Sequence, residues 1–191
     1  GYTAEGINEW GKLAKFIVKD NDYSLYTLDT NYRSTKQIIE YANKIINPFT
    51  KNYLPKSIER VGKLPETHSF NSDDEMLKSF KKEITKDVEN LEKSIGVISF
   101  KEEYIHKIKN ILSHLDIDKK RLIELREDKN IVYLPKGVYY TGFHNCKGLE
   151  FSKVYVLGLN PDKISNEKAA KKAFIAVTRA MNELQVYYSI K

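Results

Sequence analysis

Three features are scarce or missing in this 191-residue chain, and each absence excludes a class of protein. Cys146 is the single cysteine, which excludes an internal disulfide and favours a reducing compartment, so we expect a cytoplasmic protein. No apolar run approaches the roughly 20 residues of a membrane span, and no signal-peptide pattern is seen at the N-terminus. No glycine-rich GxxxxGK[ST] loop is present, which argues against a self-contained nucleotide hydrolase.

The composition that remains is that of a folded domain. Hydrophobic residues make up 41% of the chain, enough to bury a core, and the length predicts one domain over residues 1–191. Because the sequence starts at Gly1 instead of methionine, we expect a fragment of a larger chain. The formal charge of +6 is compatible with a nucleic-acid partner, although interleaved acids make a solvated surface the simpler reading of most of it. Locally basic stretches are confined to residues 51–63 and 163–172.

The apolar pattern predicts strands that alternate with helices. Helical spacing is found in the N-terminal segment around Trp10, and at about residues 34–47, 73–91, 104–115 and 166–181, with a further helical turn near 119–125. Short β-rich runs are found at residues 25–28, 67–70, 96–100, 138–141, 154–157 and 185–189. This alternation predicts an α/β fold with a parallel sheet and helices on both faces. Ser34, with Gln37 three residues later, predicts a capping box at the start of the second helix.

Several polar residues lie at the predicted junctions of strands and helices. Arg33 could present its fork of donors to phosphate oxygens beyond the carboxyl end of a strand, or it could simply pair with an acid at the surface. Gly148 would allow positive φ beside Glu150, a potential acceptor for a sugar hydroxyl, but an ordinary turn with a salt bridge fits equally well. Arg179 also has a purely structural explanation, because a positive side chain near a helix C-terminus stabilises the helix through its dipole.

Taken together, the three motifs Asn31–Ser34, Lys147–Phe151 and Thr178–Ala180 resemble signatures of one family. Their residues and order are similar to those of the second RecA-like domain of UvrD/Rep-type superfamily I DNA helicases. The resemblance implies a RecA-like, P-loop NTPase-type sheet without the P-loop itself. It also implies that the chain is the C-terminal motor domain of an ATP-dependent DNA helicase, and that the isolated fragment is inactive.

The resemblance also implies a role for each matching residue. Arg33 and Arg179 would act as arginine fingers on the γ-phosphate, Tyr32 would stack on adenine, and Gly148 and Glu150 would approach the nucleotide and its ribose. Coupling to DNA would fall to His144, Lys147 and Thr178. The implied ligands are ATP with Mg²⁺, with no metal held by this chain because the magnesium ligands belong to an N-terminal RecA-like domain of the same parent. The implied partners are that domain and single-stranded or duplex DNA, with no membrane.

Two departures from the family pattern keep a second function open. Gly142 stands where relatives often have threonine two residues before the histidine, and the last helix carries lysines and alanines over 168–172 in place of an acid and arginine pair. A non-motor binding module for nucleic acid or protein, on a degenerate RecA-like scaffold, is therefore the alternative. Only about twenty residues separate the predicted helix ending near Leu115 from the strand at Val138, so we expect no large accessory insertion there. That spacing favours the shorter, helicase-IV-like branch of the family.

Overall fold

Helices and strands alternate along the part of the chain that the computed structural model describes, residues 33–50, 60–126 and 135–191. The predicted N-terminal helix, the strand at 25–28, and Asn31 and Tyr32 lie outside these ranges. Four α-helices are described: α1 (Lys36–Ile46), α2 (Asp73–Glu89), α3 (Ile105–Ser113) and α4 (Glu167–Val177). The described strands are β1 (Glu66–Phe70), β2 (Ser94–Ser99), β3 (Leu122–Glu124), β4 (Gly137–Gly142), β5 (Phe151–Leu157) and β6 (Ala180–Ser189).

These strands form one sheet in the order β1-β6-β5-β2-β4-β3, and every pairing in it is parallel. β2 lies at the centre, with Ser99 opposite Gly142 of β4 on one side and Leu157 of β5 on the other. Every residue of β2 is buried, as expected for a parallel strand covered on both faces. The predicted α/β class and parallel sheet are confirmed.

Alternate residues of the central strands face two separate cores. Val154 and Val156 of β5 pack with α1 and α4, whereas Tyr155 and Leu157 of the same strand pack with α2 and α3. This is the period of two that a pleated strand imposes. Helices therefore cover both faces of the sheet, as the sequence predicts.

α2 is also attached to the sheet by charge. Its Asp87 accepts a hydrogen bond from Lys153 Nζ of β5 at 3.0 Å and another from the Tyr155 hydroxyl. Lys153 is buried, and a buried cation is tolerated only when it is paired in this way. Glu183 of β6 lies beside the pair and accepts a hydrogen bond from Lys93 Nζ at 2.7 Å.

Some boundaries differ from the sequence-based expectation. The N-cap of α1 is Thr35, whose hydroxyl accepts from the Ile38 backbone N–H, so the predicted capping box at Ser34 is wrong. Of the helical turn expected near 119–125, only a 3₁₀ turn at Lys119–Arg121 forms, and strand β3 follows it. α4 ends at Val177 instead of continuing to Met181, and β6 begins at Ala180. No described helix is both long enough and apolar enough to cross a membrane.

Candidate functional site

The motif residues Glu150 and Arg179 meet at the amino ends of two neighbouring strands. Glu150 directly precedes β5 and Arg179 directly precedes β6, and the Phe151 backbone N–H donates to the Arg179 carbonyl at 2.9 Å. Because all strands are parallel, their starting residues share one edge of the sheet. Both residues therefore lie at the amino edge of the sheet.

Ser34, which belongs to the motif Asn31–Ser34, lies at the same edge of the sheet. Its hydroxyl lies 2.6 Å from the Ala180 carbonyl and 3.3 Å from the Thr178 carbonyl, while the Thr35 N–H donates to the Met181 carbonyl at 3.1 Å. These bonds fix the start of α1 against the start of β6. The serine expected to cap α1 instead joins two segments about 145 residues apart in the sequence.

Glu150 lies between the two motif arginines. Arg33 Nη1 is 3.4 Å from Glu150 Oε2, and the side chains of the two residues are 41% and 11% exposed, respectively. Burial raises the pKa of Glu150, while the charges of Arg179, Arg33 and Arg60 act in the opposite direction. The site thus holds a largely desolvated carboxylate among three guanidinium groups.

Arg179 differs from Arg33 in its exposure, since only 2% of it is accessible. Its Nε donates to the Ile175 carbonyl at 3.0 Å, and its Nη1 donates to the Leu149 carbonyl at 3.2 Å. The first of these bonds satisfies a carbonyl in the last turn of α4, where a cation is favoured by the helix dipole. Arg179 therefore joins the end of α4 to the loop that carries Glu150.

Gly148 and Thr178 have defined roles in the backbone. Gly148 adopts φ 76°, the left-handed conformation that the sequence predicts for it. Thr178 is buried, and its hydroxyl donates to the Phe174 carbonyl at 2.8 Å, which closes the last turn of α4. In this conformation the Thr178 hydroxyl makes its hydrogen bond within the last turn of α4.

His144 lies at the opposite edge of the sheet from Glu150, and Lys147 follows three residues later in the chain. The 3₁₀ turn Phe143–Asn145 follows the carboxyl end of β4, where the His144 side chain is 57% exposed and its Nε2 lies 3.8 Å from Glu102 Oε1. Lys147 Nζ lies 5.6 Å from the centre of the Phe143 ring. Since a six-residue strand is about 20 Å long, the residues from 143 to 150 must run along the sheet from its carboxyl edge to its amino edge.

The same carboxyl edge contains a crevice of about 380 Å³. It opens beyond β2, β5 and β6, and its lining includes Lys101, Lys163, Lys191 and Asn160. Three lysines at the carboxyl ends of parallel strands give this crevice a positive wall, in the position where α/β sheets commonly bind ligands. No group of three or more metal-ligating His, Cys, Asp or Glu side chains occurs in the described ranges.

Arg60 also belongs to the amino-edge site, the cluster formed with Arg33, Glu150 and Arg179, although no motif in the sequence indicates it. Its Nη2 donates to the carbonyls of Arg33 and Met181, and its Nη1 donates to Asn182 Oδ1 at 2.5 Å. The only signal was the basic character of residues 51–63, in which Arg60 is the one arginine among lysines.

Comparisons with known proteins agree with this architecture. A family model described as the UvrD-like helicase C-terminal domain matches residues 26–133, which is more than half of the chain. The crystal structure of the C-terminal domain of a possible DNA helicase from Lactobacillus plantarum WCFS1 is similar in fold, with a TM-score of 0.60 and 20% identity over 84% of this chain and 88% of that one. A search of curated proteins found no significant match.

Proposed function

Because the chain belongs to the UvrD-like helicase C-terminal domain family, we propose that it is the C-terminal motor domain of an ATP-dependent DNA helicase or translocase. Its amino edge, with Arg33, Glu150 and Arg179, faces an ATP site that an N-terminal RecA-like domain completes. The observation that carries this proposal is the convergence of these three residues, which are up to 146 positions apart, on one edge of the sheet.

The chemistry of the amino edge fits a nucleotide. Arg33 is accessible enough to exchange its 3.4 Å contact with Glu150 for phosphate oxygens, which a guanidinium group can bind with two parallel hydrogen bonds. Glu150 then becomes available as an acceptor for a ribose hydroxyl. Magnesium, held by the N-terminal domain, would neutralise charge on the phosphates. Tyr32 would stack on adenine.

Arg179 requires a local rearrangement to meet the γ-phosphate. Only 2% of Arg179 is accessible, so the residues that cover its guanidinium group have to move before a phosphate oxygen can reach it. The loop that carries Leu149, Gly148 and Glu150 is the candidate, because Arg179 Nη1 donates to the Leu149 carbonyl. Docking of the N-terminal domain would then be coupled to a movement of that loop.

The DNA track belongs to the opposite edge in this proposal. His144 is exposed there, and the nearby crevice presents Lys101, Lys163 and Lys191 to phosphates. Lys147 and Gly148 lie on the segment that crosses the sheet, so a shift of the Glu150 loop would be transmitted to His144. Thr178 would contribute indirectly, because its hydroxyl closes the last turn of α4 beside Arg179, which donates to the Leu149 carbonyl of this segment.

The test is the substitution Arg33→Ala in the complete protein that contains this domain. Turnover of ATP at saturating single-stranded DNA should fall by about 10³-fold or more, the loss typical of a removed arginine finger. The dissociation constant for ATP should change far less, because the charge that Arg33 meets develops in the transition state. Lys36→Ala is the matched control, since Lys36 is an exposed neighbouring cation paired with Glu40. Equal turnover of Arg33→Ala and Lys36→Ala would refute the proposal.

A non-motor binding module is the second candidate function. The buried position of Arg179, with its donors bound to backbone carbonyls, is what a purely structural arginine would show. Salt-dependent DNA binding by the complete protein without ATP-dependent translocation would favour this candidate over the motor.

A further inference from the structure

The segment that contains Arg60 lies on the N-terminus of α1. The Lys36 backbone N–H donates to the Arg60 carbonyl at 2.7 Å, and the Gly62 N–H donates to Gln37 Oε1 at 2.8 Å. Gly62 also packs closely on Thr35, because a Cβ at Gly62 would lie 2.5 Å from Thr35 Cγ2. The backbone of Arg60 is therefore fixed to the first turn of the helix that follows Arg33.

From this position the Arg60 side chain reaches the start of β6. Nη2 donates to the Met181 carbonyl at 2.8 Å and also to the carbonyl of Arg33, while Nη1 donates to Asn182 Oδ1 at 2.5 Å. A planar guanidinium group with a fixed fork of donors can bridge acceptors on different segments in this way, whereas a lysine ammonium acts as a point charge. Arg60 thus joins the backbone of Arg33 to the same strand that follows Arg179.

We propose that Arg60 is a positioning residue that holds the backbone of Arg33 against the start of β6, so that the Arg33 guanidinium group is presented at the nucleotide edge. This inference rests on the proposed function, because it assumes that Arg33 meets a phosphate. Arg60 itself does not have to touch the nucleotide, since both terminal nitrogens of its guanidinium group donate to protein acceptors.

The experiment is a double-substitution cycle on ATP turnover by the complete protein at saturating single-stranded DNA. Arg60→Ala should lower kcat by roughly 10- to 100-fold, the loss that displacement of a reacting group by about 1 Å produces. KM for ATP should change by much less. The Arg33→Ala/Arg60→Ala double variant should be no slower than Arg33→Ala alone, because Arg60 acts through Arg33.

Arg60→Lys distinguishes positioning from charge, because it retains the cation but loses the fork. We expect Arg60→Lys to stay closer to Arg60→Ala than to the unsubstituted protein. Lys63→Ala is the matched control on the same segment, since Lys63 is 74% exposed and pairs only peripherally with Glu183 at 3.3 Å. It should leave kcat unchanged. If Arg60→Ala does not fold, Asn182→Ala removes one of the three acceptors and enters the same cycle.

The outcomes separate this inference from the proposed function. Additive losses in the double variant, or full activity in Arg60→Lys, would overturn the positioning role while leaving Arg33 as the arginine finger. A large loss in Arg33→Ala with no loss in Arg60→Ala would do the same. If Arg33→Ala itself retains normal turnover, the proposed function fails and the role of Arg60 fails with it.

Discussion

At the residue scale, Glu150 is the centre of the amino-edge site. It is nearly buried, it contacts Arg33 at 3.4 Å, and it lies in the field of Arg179 and Arg60. A second glutamate, Glu183 on β6, is similarly buried, at 15% exposure of its side chain, but it accepts a close hydrogen bond from Lys93. Burial raises the pKa of Glu150 more than the arginines lower it, whereas at Glu183 the effect of burial is outweighed by Lys93, Lys153 and Lys63, so that the pKa falls.

These opposite shifts predict opposite effects of removing each charge. For Glu150 the unfolded state ionises first as pH rises, so the native state loses stability between about pH 4.5 and its raised pKa. Glu150→Gln should therefore be at least as stable as the unsubstituted chain at pH 7. Glu183 stabilises the native state above its unfolded pKa, so Glu183→Gln should be less stable at pH 7, and the difference should shrink as pH falls through its lowered pKa.

Urea unfolding of both variants at pH 4 and pH 7 measures this contrast. A loss of stability in Glu150→Gln that grows with pH would mean that the arginines lower the pKa of Glu150 more than burial raises it. In that case the carboxylate would be part of a net-favourable ion-pair network.

The resemblance of their motifs to a known set predicts that Arg33, Glu150 and Arg179 surround one nucleotide. No sequence pattern indicates Arg60 or the true partner of Ser34, since both bond to residues more than 120 positions away. From the sequence alone Ser34 is the better cap than Thr35, because serine is preferred at the N-cap and Gln37 completes a capping box with it. Only the packing of α1 against β6 decides between them. The roles assigned to the site residues stay predictions.

Among the helices and strands, the junction of α4 and β6 shows why periodicity predicts a helix that extends beyond the true end of α4. Thr178 and Arg179 donate to carbonyls of Phe174 and Ile175, which closes the helix at Val177. The apolar pattern continues past this point, so periodicity alone extends the helix to Met181. The missed strand β3 is three residues long and lies at the sheet edge, where the sequence signal is weak.

A second element-level feature is the contact between β2 and the start of β5. A Cβ placed on Gly96 would lie 2.5 Å from the Phe151 ring, whereas one on Gly142 of β4 would meet no atom within 4 Å. Gly96→Ala should therefore cost about 1–3 kcal/mol through overpacking, and Gly142→Ala should be neutral or slightly stabilising because it restricts the unfolded chain. Thermal unfolding of the two variants checks this, and an equal effect of the two would show that Phe151 does not pack on Gly96.

At the scale of the whole molecule, the sheet separates the candidate residues between two edges. Glu150 and Arg179 lie at the amino ends of strands, where Arg33 contacts Glu150, and His144 lies beyond the carboxyl end of β4. One segment of the chain runs between the two edges. The sequence predicted the parallel sheet from the alternation of elements, but alternation does not determine strand order. Without the order β1-β6-β5-β2-β4-β3, the starts of β5 and β6 could not be recognised as neighbours. The single-domain organisation without an accessory insertion stays a prediction.

If this chain supplies one side of a composite ATP site, as proposed, it should not hydrolyse ATP alone. ATP turnover at saturating single-stranded DNA should therefore be measured for residues 1–191 and for the complete protein under identical conditions. We expect no turnover above background for the isolated chain and DNA-stimulated turnover for the complete protein. Robust hydrolysis by residues 1–191 alone, or its absence from a complete protein that carries the phosphate-binding loop, would contradict the proposal.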